Sequence, residues 1–150
     1  MSAELTAGAA AAPVRVVLDT NIVLDLWLYK DAATPVLLEA LETKTVQWLA
    51  TQVMRDELER VLAYSHIVKR LAFSQLTAED ILAQFDAHVQ LMPIAAKALY
   101  VCKDGDDQKF IDLAAQHKTQ LISKDKAVLT MRNRMARLGV VVRKAYLADY

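Results

Sequence analysis

Val14-Arg15-Val16-Val17-Leu18, followed at once by Asp19-Thr20-Asn21 and then by the run IVLDLWLY (Ile22 to Tyr29), sets the reading of the whole chain. A short, β-branched and nearly continuous apolar run is the signature of a strand buried on both faces, as in a parallel sheet. It stops abruptly at three polar residues, after which IVLDLWLY reads as a helix. The same alternation continues outward. Thr34-Pro35 offers a cap and a proline at the first helical position, starting a helix to about Lys44. VQWLA (Val46 to Ala50) is a second strand. Thr51 caps the helix TQVMRDELERVLAY, with Val53, Leu58, Val61 and Leu62 near one face, and HIVKRLAF forms another helix.

Thr77 with Asp80 makes a capping box, and Ile81, Leu82, Phe85 and Val89 recur at helical spacing. QLMPIA reads as a weak strand or extended link, because Pro93 disfavours helix in the residue before it. Asp106-Asp107 open a helix through Phe110, Ile111, Leu113 and Ala114. TQLIS (Thr119 to Ser123) is a strand, and Lys126 to Leu138 is a helix that Gly139 stops. Val140 to Val142 is the last strand, followed by a short helical end. Strands alternating with helices predict an α/β fold: a single three-layer α/β/α domain with a parallel sheet.

Composition bounds the rest. A chain of 150 residues with 55% hydrophobic and 24% charged residues has the balance of one globular domain. Three Gly and three Pro exclude collagen-like or linker-rich chains, and the lone Cys102 excludes an internal disulfide and a cysteine zinc site. That cysteine usage suits a reducing cytoplasm. Residues 1–13, with their AGAAAAP run, read as a disordered Ala-rich leader ahead of a domain at 14–150; without a basic n-region or a Leu- or Val-rich h-region no secretory signal is expected there, and no run approaches the ~18 apolar residues of a membrane span. The formal charge of zero hides an asymmetry. Residues 118–150 carry eight basic residues against Asp125 and Asp149, a net of +6, and the rest of the chain carries −6. A basic end on an acidic body suits a polyanion binder.

In open parallel sheets, ligands gather beyond the carboxyl ends of the strands. Asp19 and Asp125 follow predicted strands, and Asp107 opens a helix, so the three converge if their strands are neighbours. Glu57, mid-helix, is the candidate fourth. Carboxylates with no His or Cys among them make a hard-oxygen site suited to Mg²⁺ or Mn²⁺. Such ions activate a water and offset charge on a phosphoryl group. The plainer reading is that each acid caps a helix or decorates the surface.

LDTNIVLDLW, DELERVL, DGDDQKFIDLAAQ and LISKDKAVL, in that order from about Val14 to Tyr146, resemble the PIN-domain nucleases. The likeness is to the bacterial branch of toxin components of toxin–antitoxin pairs. It implies a Rossmann-like fold and Mg²⁺- or Mn²⁺-dependent endonucleolytic cleavage of single-stranded RNA, in the cytoplasm, with a small antitoxin protein as partner. The family's four acids fall on Asp19, Glu57 (with Asp56 competing), Asp107 and Asp125. Asp104 is an auxiliary ligand, and Thr20, Asn21 and Ser123 orient carboxylates or water. Two positions depart from the branch: Gly105 replaces a usual proline, and Val53, Met54 and Arg55 lack an acid often found there.

Lys124, Lys126, Arg132, Arg134 and Arg137 flank the fourth acid and are the candidate RNA-phosphate contacts. Trp27 and Trp48 read as core, and the stretch holding Ile67, Leu71 and Phe73 as a candidate homodimer face. Two other classes of function stay in view. One is a binding module for RNA or protein that has lost turnover. The other is an aspartyl-phosphate phosphatase, against which Asn21 stands where that chemistry needs an acid two residues after the nucleophile.

Overall fold

A computed structural model describes residues 12–147. The elements in chain order begin with β1 (Val14–Leu18), α1 (Thr20–Leu24), which runs on into a π-helical turn Asp25–Tyr29, and α2 (Pro35–Glu42). Next come β2 (Val46–Ala50), α3 (Gln52–Leu62), α4 (Ser65–Phe73), α5 (Ala78–His88) and β3 (Val89–Leu91). A 3₁₀ turn (Gly105–Asp107) leads into α6 (Gln108–His117), then β4 (Gln120–Ile122), α7 (Lys126–Leu129), α8 (Arg132–Ala136) and β5 (Val141–Arg143). The leader expected at 1–13 falls on residues of which 1–11 lie outside the described ones. No described helix is long and apolar enough to cross a membrane.

The described strands form one parallel sheet in the order β3-β2-β1-β4-β5. The chain therefore steps one way from β1 to β3, then crosses back and steps the other way through β4 and β5. Parallel crossovers are right-handed, so α1–α5 cover one face and α6–α8 the other. This is the three-layer α/β fold expected from the alternation. The central strands are buried as their composition requires: Val16, Val17 and Leu121 expose nothing. Trp27 and Trp48 stack in the core at 5.9 Å, and Phe85 meets Trp48 edge-on at 5.0 Å.

The structure corrects four local expectations. In α3 the buried positions are Met54, Leu58 and Leu62, four residues apart, while Val53 faces outward. The helix expected over 126–138 breaks at Thr130-Met131; the turn there lets Val128, Met131 and Met135 all reach zero exposure. Gly139 ends these turns with φ 81°, the left-handed region that favours glycine. No helix follows β5 within the described residues; the chain stays irregular there and Tyr146 is buried, lining a cavity with Val36 and Ala40 of α2. The strand expected after α5 starts earlier, at Val89, and the link through Pro93 is extended. In the stretch that offered a candidate homodimer face, Ile67 and Leu71 are core residues, and of that trio Phe73 is exposed.

Candidate metal centre

The strand order reverses at β1, so a crevice opens where β1 and β4 diverge at their carboxyl ends. Their register pairs Leu18 with Ile122, which sets Asp19 beside Ser123. Asp19 is buried. Its Oδ1 accepts from the Ile22 N–H at 3.1 Å and so caps α1, and its Oδ2 accepts from the Ser123 hydroxyl. The Ser123 Oγ in turn accepts from the Asp125 N–H at 3.0 Å, and Asp125 Oδ1 caps α7 through the Ala127 N–H at 2.8 Å. Asn21 serves Asp19 through its backbone N–H, while its side chain is exposed. One serine thus fixes two acids on two adjacent strands.

The third arm is the turn before α6. Asp104 Oδ1 accepts from the Asp106 N–H at 3.0 Å, which shapes the turn and aims the chain into α6. Asp107 stands at the cap position of α6, yet its side chain makes no cap bond, and its Oδ2 is buried without a hydrogen-bond partner. One carboxylate oxygen each from Asp104, Asp107 and Asp125 lie within 4.8 Å of one another. Burial, then the charges of Asp125 and Asp104, push the Asp107 carboxyl up to about 7. Burial also raises Asp19, although the bonds from Ser123 and Ile22 pull the other way. A buried acceptor that nothing satisfies, inside a group of like charges, is an arrangement that can hold a cation.

Glu57 belongs to a neighbouring layer. Its Oε1 accepts from the Thr20 hydroxyl at 2.8 Å and lies 3.2 Å from the Lys109 ammonium. Thr20 adjoins Asp19 and Lys109 follows Asp107 by two residues, so Glu57 faces the crevice without joining the three-oxygen group. The competing Asp56 is exposed and bound by the Gln52 side chain at 3.0 Å, on the solvent side of α3.

The basic candidates separate. Lys124 turns away to the π-helical turn, where its ammonium meets Asp25 at 2.5 Å and Asp31 at 3.7 Å; the hydrogen bond to buried Asp25 raises its pKa. Lys126 and Arg134 line a cavity beside the acids, and Arg132 and Arg137 are exposed outside that lining.

Sequence reasoning missed what holds Asp104 in place. Helix α6 presents Gln108, Asp112 and Gln116 at four-residue spacing to the extended segment before the turn. Gln108 Oε1 accepts from the Cys102 N–H at 2.6 Å, and its Nε2 donates to Tyr100 O at 3.1 Å and to Asp112 Oδ1 at 2.8 Å. Asp112 Oδ1 also accepts from the Ala98 N–H at 2.8 Å, and Gln116 Oε1 from the Ala96 N–H at 3.2 Å. The side chains of a helix here replace the strand partner this segment lacks. The polar stripe was visible in the sequence; its target was not.

A Rossmann-like sheet with carboxylates clustered at its switch point is an arrangement compatible with divalent-cation chemistry on phosphate esters. The chain belongs to the PIN-domain family, whose model matches residues 15–127. That span holds all five acids and ends before Arg132, Arg134 and Arg137. PIN domains are in general metal-dependent nucleases, which makes this chain a member of a hydrolase family. No curated protein matches the chain.

Proposed function

We propose that the protein is a Mg²⁺- or Mn²⁺-dependent endoribonuclease that cleaves single-stranded RNA. The observation that carries the reading is the buried, unpartnered Asp107 Oδ2 beside Asp104 and Asp125. The donor set is all oxygen, which suits Mg²⁺ and Mn²⁺. Asp104, Asp107 and Asp125 hold the ion, with Asp19 and Glu57 on its flanks. An ion held there would supply charge compensation at the scissile phosphate and a more acidic water for in-line attack, chemistry that would leave 5′-phosphate and 3′-hydroxyl ends. Ser123 keeps Asp19 and Asp125 in register for that task, Thr20 and Lys109 orient Glu57, and Lys126 with the arginines of α8 attracts the RNA backbone.

The resemblance of the four motifs to toxin components extends the proposal to a toxin restrained by a small antitoxin protein. Growth arrest on expression, relieved by the product of a neighbouring small gene, supports that role; undisturbed growth removes it. The nuclease reading is tested by single-stranded RNA cleavage in Mg²⁺ or Mn²⁺. Chelation, Asp107→Asn and Glu57→Gln abolish cleavage, the substitutions by about 100-fold or more, while Asp56→Asn leaves it at the wild-type rate. Cleavage that survives EDTA, or is unaffected in Asp107→Asn, overturns it.

A further inference from the structure

A cavity of about 500 Å³ opens between the segment leading into Asp104 and helix α7, lined by Val101, Lys103, Lys126, Ala127, Thr130 and Arg134. Its walls are the two pieces of chain that carry the acids. Lys103 precedes Asp104 and Lys126 follows Asp125, so each lysine is the chain neighbour of an acid of the cluster. The Cys102 thiol, 3.7 Å from the Ala127 carbonyl, marks the seam between those walls. No carboxylate lines the cavity. Lys103, Lys126 and Arg134 are exposed, and among the described residues none of them forms an ion pair, unlike Lys124. The floor is apolar: Val101 is 57% exposed beside Ala127, and the Thr130 hydroxyl is engaged with the Ala127 carbonyl at 2.9 Å.

Three cations without ion pairs over an apolar floor, on the two pieces of chain that carry the acids, match a ligand with a repeated negative charge and apolar faces between the charges. A bulk acidic surface would meet the cations but leave the floor unused; a single nucleic-acid strand uses both, phosphates on the cations and a sugar or base on Val101. We infer that this cavity is a track that holds the single strand beside the cleavage centre. Lys103, Lys126 and Arg134 hold the phosphates next to the one presented to Asp104, Asp107 and Asp125. The inference rests on the nuclease reading and adds Lys103, which precedes the first acid of the turn, to its substrate contacts.

The test uses the full chain and three probes of equal charge: a labelled single-stranded RNA of about twelve nucleotides, the DNA of the same sequence, and an Asp/Glu-rich peptide. Binding is measured in EDTA over a salt series for the wild type, Lys103→Gln, Arg134→Gln, the double variant, and Lys69→Gln on α4 as a charge control. Each cavity substitution weakens RNA binding about five- to tenfold and lowers the slope of log K against log salt by about 0.7, the value for one lost single-strand phosphate contact. Lys69→Gln changes neither. Equal losses for RNA and DNA support a phosphate track that ignores the 2′-hydroxyl. An unchanged slope, or a loss confined to the peptide, overturns the inference; the latter makes the cavity a protein-docking site. Metal-dependent cleavage with wild-type salt slopes in both variants removes the track and leaves the nuclease standing. Altered slopes with no cleavage in any metal remove the nuclease and leave a nucleic-acid-binding cavity.

Discussion

Asp107→Asn tests the centre through folding as well as activity. In the metal-free protein Asp107 is half-buried among like charges, with its pKa raised from 3.8 to about 7. A carboxyl whose pKa is higher folded than unfolded costs nothing while protonated in both states. The cost grows as pH rises past the unfolded value and is complete above the folded one. At 1.36 kcal/mol per pH unit the gap sets a ceiling of about 4 kcal/mol. A half-buried group reached by water and salt retains about 1–2 kcal/mol of that. Asparagine keeps the shape and removes the charge. In EDTA the two proteins therefore melt together at pH 4, and at pH 8 the variant melts roughly 3–6 °C higher. Mn²⁺ reverses the order: the wild type gains about 2.7 kcal/mol at a hundredfold excess over Kd, and the variant gains little. Thermal melts at pH 4 and pH 8, with EDTA and with Mn²⁺, decide the matter. Equal melting at pH 8 in EDTA, or equal shifts on adding Mn²⁺, refutes the reasoning that these charges await a cation.

Ser123→Ala removes the donor to buried Asp19 Oδ2 and the acceptor of the Asp125 N–H, so it lowers stability by about 1–3 kcal/mol and Mn²⁺ affinity by about 10- to 100-fold; denaturant unfolding and calorimetric titration measure the two effects. Gln108→Leu frees the segment carrying Asp104 while leaving every acid in place. Urea unfolding shows a loss of about 1–3 kcal/mol, Mn²⁺ affinity falls, and amide exchange at Cys102 accelerates; unchanged exchange there contradicts the positioning role.

Much of the architecture is legible in the chain because single residues dictate it. Val16 and Val17 have no aqueous face, Thr51 caps α3 at 3.4 Å from the Met54 N–H, and Thr77 with Asp80 closes its box at 3.1 and 2.8 Å. The break at Thr130-Met131 is not legible, because nothing in that local sequence disfavours helix; burying Met131 together with Val128 and Met135 decides it. The site divides in the same way. Asp19, Ser123 and Asp125 are readable as lying at strand ends; their meeting requires β1 and β4 to be neighbours, which sets Asp19 beside Ser123, and Ser123 then bonds the Asp125 N–H. The place of Asp104 depends on the course of the extended segment through Pro93, which Gln108, Asp112 and Gln116 of α6 tie down at Ala96, Ala98, Tyr100 and Cys102. The fate of Lys124 depends on Asp25, whose burial in a π-helical turn has no sequence signature.

The acids of this centre are also parts of the scaffold, and that double duty explains how a fold tolerates them together. Asp19 satisfies the first turn of α1, Asp104 that of the 3₁₀ turn and Asp125 that of α7; in each case backbone N–H groups face the carboxylate and offset part of the repulsion. Of Asp19, Asp104, Asp107 and Asp125, Asp107 alone has no such bond, and its carboxyl is pushed up to about 7, while burial raises Asp19 in spite of its bonds. Scaffold and cation chemistry therefore separate at Asp125. Asp125→Asn retains an oxygen for the Ala127 N–H and loses only the charge. Asp125→Ala loses both, at a cost of about 1 kcal/mol for the missing cap. Both variants bind Mn²⁺ weakly. In EDTA at pH 8 the asparagine variant is at least as stable as the wild type, because a repulsion toward Asp107 is gone, and the alanine variant is about 1 kcal/mol less stable than the asparagine one. Denaturation of the three proteins, read beside Mn²⁺ titration, checks this. If asparagine destabilises as much as alanine, the carboxylate holds the fold through its charge, and its neighbours are a structural network rather than a seat for an ion.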